Sequence, residues 1–158
     1  MGWKNVKEHY DIGHIVQVSE GVICIGSGYV HNIICIRDYR PVWDSGLGQS
    51  NNDDLAHYFS EMEADLPRLR SLIDAPDTFN KSITVYTYEG GDIVEKQCEE
   101  LDWPNVTHDG QIMYENTFSV DRDEIVRWAI RNAECSIEAV SEQLERMTRD
   151  RVERQAYL

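Results

Sequence analysis

His14-Ile15-Val16-Gln17-Val18-Ser19-Glu20-Gly21-Val22-Ile23-Cys24-Ile25 places β-branched and polar residues in alternation on either side of a Glu-Gly step. Alternation with a period of two marks a half-buried strand, and two such runs joined by two turn-forming residues make a hairpin. With Glu20-Gly21 as the turn, Val18 falls opposite Ile23 and Val16 opposite Ile25, so four β-branched side chains share one face. That face is the expected core. The reverse, with Gln17, Ser19 and Cys24, is the side expected of a sheet covered on one face only. A Gly-rich link leads to Asn32-Ile33-Ile34-Cys35-Ile36-Arg37, the third strand of an antiparallel meander.

Downstream, Pro41, Gly46, Gly48 and Ser50-Asn51-Asn52-Asp53 mark an irregular connection over 38–54 that ends at a helix cap. Leu55, Tyr58, Phe59, Met62 and Leu66 follow at helical spacing until Pro67, which removes a backbone donor and forces a break or a new first turn. Leu69, Leu72 and Ile73 continue the apolar face to Ala75-Pro76-Asp77. Residues 82–88 alternate as a strand ended by Gly90-Gly91. Asp92 with Glu95 has capping-box spacing, which predicts a short helix with Val94, Cys98 and Leu101 inward, closed by Pro104. Asp109-Gly110 then suits a two-residue type I′ turn between 106–108 and 111–114. Trp3, Tyr10, Tyr39 and Trp43 fall in stretches that read as loops.

Asp121 with Glu124 repeats the capping-box spacing, and no Gly or Pro occurs from there to Leu158. A helix of about 36 residues would be about 54 Å long, more than a domain of this size covers. Val126, Ile130, Ala133, Ile137, Val140, Leu144 and Met147 recur at alternating steps of four and three, the 3.5-residue period of a coiled-coil seam. The sequence thus predicts an α+β fold: an antiparallel β-meander and a second β-α-β-hairpin unit packed with helices, ending in a long C-terminal amphipathic helix. Residues 1–125 are expected to form one domain, and 126–158 a candidate coiled-coil dimerisation segment.

The net charge is −14, and it is uneven: residues 51–120 hold fifteen acids against four bases. Such a surface repels phosphate backbones, which excludes direct nucleic-acid binding and favours a basic protein surface. Asp53, Asp54, Glu61, Glu63 and Asp65 form the candidate partner-binding face. No apolar stretch is long enough for a membrane span, and the N-terminal residues lack the apolar run of an export signal, so the expected location is cytoplasmic. Cys24, Cys35, Cys98 and Cys135 form no C-x-x-C pair and read as reduced structural thiols.

Two clusters could carry chemistry. Asp53, His57 and Glu61 recur every four residues on one helix face, where carboxylate and imidazole can share a divalent metal. His108, Asp109 and Glu115, with Tyr114, surround the predicted hairpin, where an acid-base pair is conceivable. Each has a simpler reading, as a solvated helix face and an exposed turn. Gly26-Ser27-Gly28 leads to no helix and reads as a turn, and His14, His31 and the cysteines match no zinc spacing. No metal or cofactor is expected. The expectation is a non-catalytic, acidic, homodimeric interaction protein that binds a basic protein surface, with blocking of a partner's nucleic-acid site as one form of that role, in the manner of viral inhibitors of host defence. The alternative is a small metal-dependent or acid-base enzyme using Asp53, His57 and Glu61, or His108 and Glu115.

Overall fold

The computed structural model describes residues 1–44 and 52–158. Helix α1 (Trp3–His9) precedes strands β1 (Ile15–Ser19), β2 (Val22–Gly26), β3 (Ile34–Arg37) and β4 (Arg40–Trp43), which pair antiparallel in that order. The register Val16↔Ile25 and Val18↔Ile23 is the one that the alternating pattern requires. Both turn residues, Glu20 and Gly21, have positive φ (50° and 76°), as a type I′ turn demands.

The meander has a fourth strand that the sequence pattern did not reveal. Its turn is Asp38-Tyr39, again with φ positive at both residues (49° and 61°), an unusual conformation for a tyrosine. Distant groups hold it there: the Tyr39 hydroxyl donates to Asp74 Oδ1 at 2.7 Å, and the Arg70 guanidinium lies 4.5 Å above its ring. Pro41 is tolerated because β4 is the edge strand of this sheet among the described residues. Of the expected connection over 38–54, residues 45–51 lie outside the described part.

Helix α2 (Asp53–Ala64) starts where expected, but its N-cap is Asn52, whose side chain accepts from the N–H groups of Asp54 and Leu55. Asp65 then leaves helical geometry and caps α3 (Leu66–Asp74), which places Pro67 in a first turn where a missing N–H breaks no intrahelical bond. Helix α1 docks on the end of α3: Gly2 N–H donates to Ile73 O, and Asp77 Oδ1 accepts from Asn5 N–H. Trp3, Val6 and Tyr10 of this segment, Ile25 and Ile34 of the meander, and Leu55, Tyr58, Met62 and Leu69 of α2 and α3 form the larger core. Trp3 and Tyr10 therefore belong to a helix and its cap, and Trp43 to a strand, rather than to loops.

Strands β5 (Ile83–Glu89) and β6 (Asp92–Cys98) form a hairpin of seven opposed pairs, so the helix expected over 92–101 is a strand. Val94 and Cys98 share a face in either structure, since four residues is close to one helical turn and equals two strand repeats. Gly90 and Gly91 decide the matter: both have positive φ (55° and 98°) and close a two-residue turn, which gives β5 a ladder partner. Two-residue strands β7 (Asn105–Val106), β8 (Ile112–Met113) and β9 (Phe118–Ser119) follow. The first two pair with each other, and β9 joins the free edge of β5.

The connection from β7 to β8 is also wider than expected. Only Gly110 has positive φ (92°); its N–H donates to Thr107 O, and Thr107 N–H donates to Gln111 O. This is a type I turn closed by a left-handed glycine, the three-residue hairpin loop with a bulge. Gly110 O accepts the Val18 N–H at 2.8 Å, so this loop covers the outer edge of β1. Val85, Cys98, Met113 and Phe118 form the second, smaller core. Helix α4 (Arg122–Gln155) begins against it and ends the chain. No described helix is long and apolar enough to cross a membrane.

Candidate functional site

Local chemistry fixes the start of α4. Asp121 Oδ1 accepts from Asp123 N–H at 2.9 Å, the Ser119 hydroxyl donates to Glu124 Oε2 at 2.5 Å, and Asp123 and Glu124 put negative charge at the positive end of the helix dipole. Ile125 is buried against β5, β6 and β9, with Val126, Trp128 and Ala129 half-buried around it. From Ile130 onward every residue is exposed. Helix α4 is 34 residues long, about 51 Å at 1.5 Å per residue, so most of it stands clear of the body.

Of the seven seam positions, Val126 serves the chain's own body and the other six do not. Ile137, Val140, Leu144 and Met147 each keep more than 60% of their surface exposed. Between Ile130 and Met147 the positions beside the stripe are Ser136 and Gln143 on one side and Glu134 and Ser141 on the other, so Glu134 is the charged one there, while Arg127 and Asp150 flank its two ends. Charge is concentrated on the far side, at Arg131, Glu138, Glu142, Glu145, Arg146 and Arg149. This distribution produces a broad, nearly uncharged apolar face on a projecting rod. Large apolar patches of this kind are rare on surfaces that stay in water.

Asp53, Asp54, Glu61, Glu63 and Asp65 are all exposed along α2 and its end. Among the described residues none of them is in an ion pair with Lys or Arg; Glu61 meets only His57, at 3.3 Å. Asp65 is occupied as the cap of α3. No group of three His, Cys, Asp or Glu side chains among the described residues has an arrangement that would hold a metal.

His108 has structural partners. Its ring stacks on Phe79 at 3.8 Å with 7° between planes, its Nε2 meets Lys81 O at 3.0 Å, and its own carbonyl accepts from Trp3 Nε1. Asp109 is engaged by Lys96 at 2.6 Å and by the Thr107 hydroxyl. Burial opposes ionisation of Asp109, but those hydrogen bonds hold its carboxyl below the usual range. No hydrogen bond or ion pair among the described residues joins Glu115 to His108. His14 and His31 lie apart, one against Tyr58 and the other against Tyr114.

The reverse face of the meander holds a cleft of about 450 Å³ that the sequence did not announce. Gln17, Cys24 and Cys35 form its floor, all buried, with His31, Asn32, Arg37 and Asp44 at its sides. Cys24 and Cys35 are directly opposed across β2 and β3, with their sulfurs 2.8 Å apart. Cys35 Sγ also lies 3.6 Å from Asp44 Oδ2, which accepts from Asn32 at 3.0 Å, while Arg37 pairs with Oδ1 at 3.2 Å. The Asn32 and Arg37 hydrogen bonds keep the Asp44 carboxyl below its ordinary range. Burial pushes both thiols up.

No family model, curated protein or solved structure matches this chain.

Proposed function

We propose that this chain is a non-catalytic interaction protein that self-associates through α4 and presents its acidic body to a basic protein surface. The observation that carries the proposal is the stripe Ile130, Ala133, Ile137, Val140, Leu144 and Met147, exposed along a helix that its own body leaves uncovered. A second copy of the chain is the occupant that fits. No like charges oppose each other across the flanking positions in either helix direction.

Antiparallel pairing fits best, for two reasons. It sets Ile130 against Met147, Ala133 against Leu144 and Ile137 against Val140 of the second copy, so each layer combines a larger with a smaller or equal side chain. Parallel pairing would stack Ala133 on Ala133 and leave a void there. The second reason is charge. Residues 1–120 carry twenty acids against eight bases, and antiparallel helices hold the two acidic bodies at opposite ends of the rod, about 37 Å apart at 1.5 Å per residue. That is several Debye lengths at physiological salt.

The acidic face would engage a basic partner, including one whose own ligand is nucleic acid, because the same cationic groups serve both. Light scattering of the full chain at tens of micromolar, on the order of a weak coiled coil's dissociation constant, is expected to give twice the 18.3 kDa chain mass. A monomer there rejects self-association. Reversing Asp53, Asp54, Glu61 and Glu63 to Lys is expected to weaken capture of a basic partner far more than it moves the Tm. Capture that is indifferent to salt rejects the electrostatic half of the proposal.

A further inference from the structure

The four cysteines occupy three different settings. Cys98 is fully buried in the second core, and Cys135 is exposed and alone on α4. Cys24 and Cys35 instead face each other at the floor of a cleft open to solvent. We propose that Cys24 and Cys35 are a redox pair, which a low-molecular-weight disulfide oxidises to a cross-strand disulfide and a small thiol reduces again.

Register supplies the first argument. Directly opposed residues of an antiparallel ladder have Cα atoms roughly 4.5–5.5 Å apart, inside the roughly 4.4–6.8 Å range that a disulfide spans. Cys24↔Cys35 is such a pair, so the bond forms without moving either strand. Both side chains are already turned toward each other and in contact. Access is the second argument. The cleft is large enough to admit a small aliphatic disulfide, and its walls are mixed, with the polar side chains of Asn32, Arg37, Asp44, Ser19 and Glu20 beside the apolar Val22 and Ile112. Gln17 adds a third: it is buried at the floor, and among the described residues its side chain forms no hydrogen bond, so its amide is placed to meet a bound molecule.

The chemistry balances as thiol-disulfide exchange. Cys24, as thiolate, attacks one sulfur of the reagent RSSR; a Cys24–SR bond forms, the S–S bond breaks, and RS⁻ leaves to take up the proton that Cys24 lost. Cys35, deprotonated in turn, attacks the Cys24 sulfur, and the second RS⁻ leaves with the second proton. Two electrons pass from the protein dithiol to the reagent, giving one protein disulfide and two RSH. Cys24 goes first because the Cys35 thiol can donate to its sulfur and ease its ionisation, while Asp44 beside Cys35 opposes a second negative charge. Buried thiols ionise poorly, so the reaction is slow at neutral pH and speeds up roughly tenfold per pH unit below their raised pKa values. The product ties β2 to β3 across the connection formed by residues 27–33.

The test uses the full chain with Cys135→Ser, which removes the exposed thiol, and cystamine as reagent. Folded protein is expected to lose two alkylatable thiols, and chymotryptic cleavage after Tyr29 to leave the Cys24 and Cys35 peptides linked. Cys35→Ser should stop at a mixed disulfide on Cys24, Cys24→Ser should not react, and Cys98→Ser should behave as the parent. Oxidation should raise the Tm by on the order of 5 °C, from the loop closed. The proposal is overturned if the folded chain keeps both thiols under conditions in which the guanidinium-unfolded chain is oxidised. A bond mapped to Cys98 overturns it equally.

Discussion

Replacing Leu144 or Ile137 with Ala tests the seam in a way that misfolding cannot imitate. Both side chains lie in the wholly exposed part of α4, with 63% and 65% of their surface open in the single chain, so neither holds the body together. Alanine is also the better helix former, so the rod itself is not weakened. Fully burying such a side chain is worth about 1.5–3 kcal/mol, and roughly two-thirds of that remains to be gained here, about 1–2 kcal/mol. Each substitution occurs twice in a dimer, which gives about 2–4 kcal/mol, or roughly 30-fold to several hundred-fold weaker association at 1.4 kcal/mol per decade. Sedimentation equilibrium over a concentration series measures this directly, with Glu138→Ala on the charged side as the control expected to change little. An association constant unmoved by Leu144→Ala would refute the seam. Helix direction is tested separately: with Cys135→Ser, paired Ala133→Cys and Leu144→Cys substitutions should cross-link antiparallel copies readily, whereas Val140→Cys alone should not.

Gly110→Ala is expected to cost more than about 2 kcal/mol, since the new Cβ would lie 2.4 Å from Val18 Cγ2 on a residue with φ of 92°. Gly91→Ala has open space and should cost only about 1 kcal/mol for its left-handed backbone; equal losses in urea titrations would show that the loop does not pack on β1 as described. His108→Ala should lower stability by about 1–2 kcal/mol through the lost Phe79 stack and Lys81 hydrogen bond. His57→Ala, on an exposed face, should stay within about 0.5 kcal/mol. Burial alone would raise the Glu99 carboxyl, yet the Asn80 N–H and the Lys4 ammonium hold it below the ordinary range. The folded state therefore releases this proton more readily than the unfolded chain, and the stability it provides is complete above the unfolded glutamate pKa and lost as pH falls through the depressed folded value. Glu99→Gln should flatten that acid limb in denaturant titrations, and an unchanged limb would contradict the assignment.

What the sequence showed and what it hid differ in where the stabilising partner lies. The register of β1 and β2 was legible to the residue, and their ends to within one, because their partners are each other, across a two-residue turn. The breaks at Pro67 and Asp121 were legible because a cap and a proline act within one helical turn. Strand β4 was hidden because its turn depends on Tyr39, held by Asp74 and Arg70 more than thirty residues away. Helix α1 was hidden because the group that satisfies its third N–H is Asp77. At β6 the local signal pointed the wrong way: Asp92 and Glu95 fit a cap, and only the ladder partner β5 makes the strand the better solution. The cysteine pair combines both problems, since its two residues meet through a register that neither strand states alone. Helix α4 is the opposite case. Among the described residues nothing covers it after Ala129, so its apolar period answers to no contact within the chain, and under the proposed self-association it would record the requirements of a second copy instead.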